Sequence, residues 1–162
     1  MKLLKIIILF VMSQMLFLTA FGQENMKIKN CFDKYGKQKG SVMVQLSSDI
    51  LSQGSKISFY KSLVLDETPE KLTTVLQAVH TDIEKGSKIS ELKKNGKVES
   101  GTYLVRDGKK TQAYEYILFK NKSKKITLVY LKGSFSPQQL DYELSKLKDL
   151  FIYVNNKRLK IQ

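Results

Sequence analysis

Nitrogen and sulfur ligands are scarce in this chain: one Cys, one His and no Trp in 162 residues. A zinc site of the Cys/His type needs about three or four such side chains, so that class is excluded. Cys31 cannot close an internal disulfide, which requires a pair. Two Pro and nine Gly are too few for a collagen-like or linker-dominated chain. Arginine is also rare: Arg106 and Arg158 are the only two among 28 basic residues. Specific nucleic-acid readers lean on arginine forks, so nucleic acid is not expected as a partner. What is present is globular in composition, with 42% hydrophobic and 27% charged residues.

The one long apolar run lies at the start. Lys2 and Lys5 precede Ile6 to Leu18, a stretch interrupted only by Ser13 and Gln14, and Ala20-Phe21-Gly22 puts small residues at the −3 and −1 positions of a cleavage site. This predicts a secretory signal peptide over residues 1–22, a single domain over 23–162, and export to the periplasm or beyond. The run is shorter than the roughly 20 residues a membrane span needs, so no span is expected after cleavage. Cys31 lies too far past Gly22 for lipidation. It follows Ile28 by three residues and adjoins Phe32, which predicts burial on a helix face rather than a route to a dimer. Removing Lys2 and Lys5 leaves 26 basic against 15 acidic residues, a net charge of +11.

The exported part reads as α+β. Met26, Ile28, Cys31, Phe32 and Tyr35 have helical spacing, and Gly36 and Gly40 loosen the end. Ser41 to Leu46 and Lys56 to Asp66 read as strands, with Ser48 able to cap a short turn between them. Thr68-Pro69 opens a helix with Leu72, Val75, Leu76, Val79 and Ile83 as its stripe and Gly86 as its stop. Ser136-Pro137 repeats the device before Leu140, Leu144, Leu147 and Phe151. These are two well-capped helices rather than an internal repeat.

Between the helices lies a meander with turns at Asn95-Gly96, Asp107-Gly108 and 121–123. Its strands are 88–94, 97–106, 111–120 and 124–132. Uninterrupted alternation puts Val98, Leu104, Ala113, Ile117, Phe119, Ile126, Leu128 and Tyr130 on one face. Tyr103, Val105, Tyr114, Tyr116, Leu118, Val129 and Leu131 fall on the other. The expected architecture is an antiparallel meander with about three helices on the first face.

Several features together resemble the small exported proteins of unknown function found in Bacteroides-type bacteria. They are the Phe21-Gly22-Gln23 junction, the Phe32-x-x-Tyr35 helix, the Val42-Met-Val-Gln-Leu46 strand, and a meander closing on Leu131-Lys-Gly133 before a Leu-rich helix. The resemblance implies export and an α+β fold, and carries no catalytic residues.

Chemistry-bearing constellations are sparse. His80 would need a nucleophile such as Ser47, Ser48 or Ser52 brought to it, and no Gly-x-Ser-x-Gly elbow exists. It reads as a surface residue with Glu84 one turn on. Asp66, Glu67 and Glu70 cluster before and within a first helical turn, where acids complement the helix dipole. No phosphate loop, EF-hand spacing or cofactor motif is present. The expectation is therefore a non-catalytic binding module of the bacterial envelope, with no cofactor or metal, as a monomer or weak homodimer. A small hydrolase is the distant alternative.

Two surfaces are candidates. The first is the tyrosine band Tyr103, Tyr114 and Tyr116, because tyrosine gives contact area at low entropy cost; its partner would be an envelope protein. The second is a basic rim. In an up-and-down meander the first and third turns share one end. That gathers Lys93, Lys94 and Lys97 with Lys120, Lys122, Lys124 and Lys125, facing anionic lipid or acidic glycan. The plain reading is that edge lysines keep a sheet soluble.

Overall fold

The computed structural model describes residues 25–51, 54–109 and 111–147, together with the backbone of Phe151–Val154 and Lys157–Lys160. The leader expected over 1–22 lies outside the described residues.

Six strands form one antiparallel sheet: β1 (Val42–Ser47), β2 (Ile57–Asp66), β3 (Ser87–Lys94), β4 (Lys97–Arg106), β5 (Tyr114–Lys122) and β6 (Lys125–Gly133). Their order across the sheet is β1-β2-β6-β5-β4-β3. The meander β3–β6 therefore closes against β2, and β6 is internal. Its sequence, KITLVYLKG, agrees: side chains on both sides are buried over Val129–Leu131. Two further strands, β7 (Phe151–Val154) and β8 (Lys157–Lys160), make a separate antiparallel pair. Phe151, expected in the last helical stripe, thus lies in a strand; the aromatic and β-branched run Phe-Ile-Tyr-Val suits extended backbone better than a helix.

Two helices cover one face. In α1 (Lys27–Tyr35), Ile28, Cys31, Phe32 and Tyr35 recur at helical spacing and all are buried. Burial pushes the Cys31 thiol up to about 11, with the Asp82 charge adding to the effect, so it stays protonated and inert. The α1 N-cap, Met26, has no side-chain acceptor. Asp82 supplies one from across the fold, accepting from the backbone N–H groups of Lys27 (2.7 Å) and Ile28 (2.8 Å). Asp82 ends α2 (Pro69–Asp82), whose start is as expected: Pro69 is first and Thr68 Oγ1 accepts from the Lys71 N–H at 3.3 Å. The helix stops four residues before Gly86. That glycine serves packing instead, since a Cβ there would lie 2.2 Å from the Leu104 carbonyl oxygen.

The third helix does not join them. Ser134 donates to the Lys56 carbonyl at 3.0 Å, and the chain then turns onto the opposite face. Phe135 stacks on Tyr116 at 5.2 Å, a turn of 3₁₀ helix follows at Pro137–Gln139, and α3 (Leu140–Leu147) packs Leu140 and Leu147 there. Glu143, buried on α3, fastens the return by accepting from the Lys56 N–H (2.9 Å) and Lys146 Nζ (2.8 Å). The helices are therefore split two and one, where all three were expected on one face. Two faces of a sheet with internal strands both need cover.

The faces also differ from simple alternation. Leu92 pairs with Ser100 while Lys93 pairs with Val98, so Glu99 is an extra residue in β4. A one-residue bulge reverses every side chain beyond it. Val98 stays on the α1/α2 face, but Tyr103 joins it and Leu104 goes to the α3 face, the reverse of the expected assignment. Val105, a second extra residue opposite β5, also packs on the α1/α2 side. Strands β5 and β6 run unbroken against each other, and their side chains fall as expected.

Candidate functional site

The tyrosine band is not one surface. Tyr103 is buried on the α1/α2 face, its ring folded over Gly101, where any Cβ would collide with it. Its hydroxyl donates to Glu91 Oε2 at 2.8 Å, and burial, with Glu91 second, raises its pKa. Tyr116 is wholly buried on the other face and donates to the Phe135 carbonyl at 2.6 Å. Tyr114 is half-buried and stacks on Tyr116 at 6.4 Å. The Glu99 bulge and the crossing of Phe135 take Tyr103 and Tyr116 into the core and leave Tyr114 at its edge.

The lysine rim does assemble. Ser100 of β4 pairs with Lys120 of β5, so the β3–β4 and β5–β6 turns lie side by side at one end of the sheet. All seven expected lysines are exposed. The closing pair of each hairpin is Lys against Lys: Lys94 faces Lys97, and Lys122 faces Lys125. Like charges directly opposite are destabilising. Relief is partial: Lys125 reaches Asp66 Oδ1 at 2.5 Å and Lys93 lies 3.6 Å from Glu91. Lys94, Lys97, Lys120, Lys122 and Lys124 have no carboxylate within ion-pair distance among the described residues. The first turn is well made, with Asn95 and Gly96 both at positive φ. The second forces Ser123 (φ 54°) and Lys124 (φ 60°) into the same left-handed region, where neither is favoured.

The acids at this end are spent on structure. Asp66 holds Lys125, Glu67 Oε1 accepts from Asn121 Nδ2 at 3.1 Å, and Glu70 lies 3.6 Å from Lys34 of α1. Asp49, beside Ser47, is taken up by the hydroxyl of that serine. Among the described residues no group of three or more His, Cys, Asp or Glu is placed to hold a metal ion, and no helix is long and apolar enough to cross a membrane.

Beside the rim a groove of about 500 Å³ runs between α2 and the β3–β4 hairpin. Leu72 and Leu76 on α2 and Val98 on β4 are only partly buried and line it. His80, exposed as expected, lies on the same wall of α2, with Lys93 and Lys97 opposite.

Residues 15–144 match a family of unknown function, DUF6108. The chain belongs to that family. No curated protein matches it. The matched span of this DUF6108 member includes α1, the whole six-stranded sheet, α2 and most of α3, so both rim and groove lie within it. The rim was readable from Lys spacing around two turns. The groove had no signal of its own, because Leu72 and Leu76 belong to an ordinary amphipathic stripe until the hairpin stands away from them.

Proposed function

We propose that this protein is an exported, non-catalytic binding module of the cell envelope that engages anionic groups through its lysine rim. Export rests on the Lys-flanked apolar run and the Ala20-Phe21-Gly22 junction, and a Bacteroides-type source on the resemblance to small exported proteins of such bacteria. The observation that carries the binding role is the adjacency of two hairpins, each closed by a Lys–Lys pair. Edge protection alone calls for dispersed charge; this cluster concentrates it at a local cost in folding energy. Phosphates of lipid and carboxylates or sulfates of glycan are the chemistry it fits. Each lysine near such a surface contributes about 1 kcal/mol.

Lys124→Gly is the sharpest test. The substitution removes a rim charge and relieves the left-handed backbone, so stability should rise by about 1 kcal/mol while anion binding weakens about fivefold. The Glu67 N–H bond to the Lys124 carbonyl, 2.9 Å, survives it. Cosedimentation with phosphatidylglycerol vesicles and retention on an acidic polysaccharide, each over a salt series, separate lipid from glycan. Binding that ignores salt and Lys124→Gly in both assays overturns the proposal.

A further inference from the structure

We infer that the groove between α2 and the β3–β4 hairpin is a binding site for a single-chain amphiphile with a carboxylate head, the chemistry of a long-chain fatty acid. It rests on the reading of the rim as anion-binding only through the two lysines they share. The groove's volume, about 500 Å³, lies within the roughly 300–1,000 Å³ of small-molecule sites.

Its lining is divided in the way such a ligand requires. Leu72 and Leu76 are one turn apart on α2, and Val98 faces them from β4. They form an apolar strip that the fold leaves partly open, although each belongs to the margin of the α1/α2-face core. An alkyl chain laid along them would finish a burial that the protein itself leaves incomplete. The hairpin wall supplies the cations. Lys97 has no carboxylate within ion-pair distance among the described residues, and Lys93 is shared with Glu91 at 3.6 Å. The one acid on the lining, Glu67, is tied to Asn121 and so is already occupied. Apolar floor and cationic wall thus meet at Val98, the neighbour of Lys97, and this sets the head at the hairpin and the tail along α2.

Calorimetric titration of the full chain with octanoate, decanoate and dodecanoate below their micellar concentrations tests the site. Affinity should rise about tenfold for each two added methylenes, with one ligand per chain. Dodecanol should bind at least fivefold more weakly than dodecanoate, and Lys97→Gln should erase that difference. Thr73→Trp places a bulky ring on an exposed helix position that lines the groove, so it blocks the site while every core residue and every lysine keeps its identity. It should abolish dodecanoate binding and leave vesicle and polysaccharide binding intact. Chain-length independence, or dodecanoate binding unchanged by Thr73→Trp, overturns the inference while leaving the rim proposal standing. Equal affinity for dodecanol overturns the carboxylate assignment. Vesicle binding that Thr73→Trp abolishes, without any dodecanoate binding, makes the occupant a membrane lipid and likewise overturns the inference. Chain-length-dependent, Thr73→Trp-sensitive binding in a protein that ignores vesicles and polysaccharide supports the groove and sinks the rim.

Discussion

The two faces of the sheet are built on opposite plans. Under α1 and α2 the strands present Leu63, Leu65, Ile117, Phe119, Ile126 and Leu128, all essentially inaccessible. The face under α3 is divided. At the end near α3 and Phe135 it carries Tyr60, Tyr116 and Leu131, also buried. Toward the lysine rim it carries Ser90, Ser100, Thr102 and Thr127 beside Leu118, around a shallow hollow of about 330 Å³. Side-chain chemistry follows cover: aliphatic and aromatic groups where a helix excludes water, hydroxyls where it does not. An eight-residue α3 spans about 12 Å, less than half of such a sheet.

Deleting Glu99 is the severest way to break this arrangement. Without the extra residue the rest of β4 changes face, so Tyr103 leaves the α1/α2 side and Leu104 leaves the α3 side. The loss should exceed about 4 kcal/mol by urea denaturation, or the protein should fail to fold. A loss below about 1 kcal/mol would mean the bulge does not set the faces.

Paired truncations measure the contrast directly. Leu128→Ala, at a fully buried position under the helices, should cost about 2–5 kcal/mol. Leu118→Ala, half-buried beside the open hollow, should cost about 1 kcal/mol. Similar values for the two would show that something else covers the hydroxyl-lined half.

A smaller effect separates the faces' buried carboxylates. Glu115, on the α1/α2 side, has no well-formed hydrogen bond; Arg106 Nε lies 3.5 Å away and Tyr130, whose pKa is raised by burial and then by this charge, is beside it. Glu143, on α3, has two good donors. Burial alone would raise its pKa, but Lys146 and the Lys56 N–H outweigh it and hold it below the ordinary value of 4.5. Its contribution is therefore present above the unfolded pKa and is lost as pH falls through the lower folded one. Glu143→Gln should cost about 1–3 kcal/mol at pH 7. The gap from the native protein should narrow as pH falls below 4.5 and through the lower folded pKa. Glu115→Gln should cost less than about 1 kcal/mol, because its partner is more than half exposed. A larger loss at Glu115 would reverse the comparison.

Local chemistry was legible wherever one turn or one stripe decided the outcome. Thr68-Pro69 starts a helix because the hydroxyl and the missing N–H suit a first turn wherever the helix later packs. Asn95-Gly96 closes a hairpin because both residues tolerate positive φ. Ile28, Cys31, Phe32 and Tyr35 fall inward together, since helical spacing alone puts them on one side. The seven rim lysines could be grouped from the same turns, because adjacent hairpins in a meander must end together.

Tertiary structure decided what depends on partners distant in sequence. Alternation carries a face along a strand only until an unpaired residue intervenes, and Glu99 is unpaired because of how β3 lies beside it. No helical pattern says that Asp82 will cap α1, some 54 residues away, or that Lys56 will receive Glu143. The groove exists for the same reason. Leu72, Leu76 and Val98 are apolar in any reading, but whether they touch or stand apart is set by the angle between α2 and a hairpin. Residue order dictates the local minima of each segment; which segments exclude water from one another is a property of their packing alone.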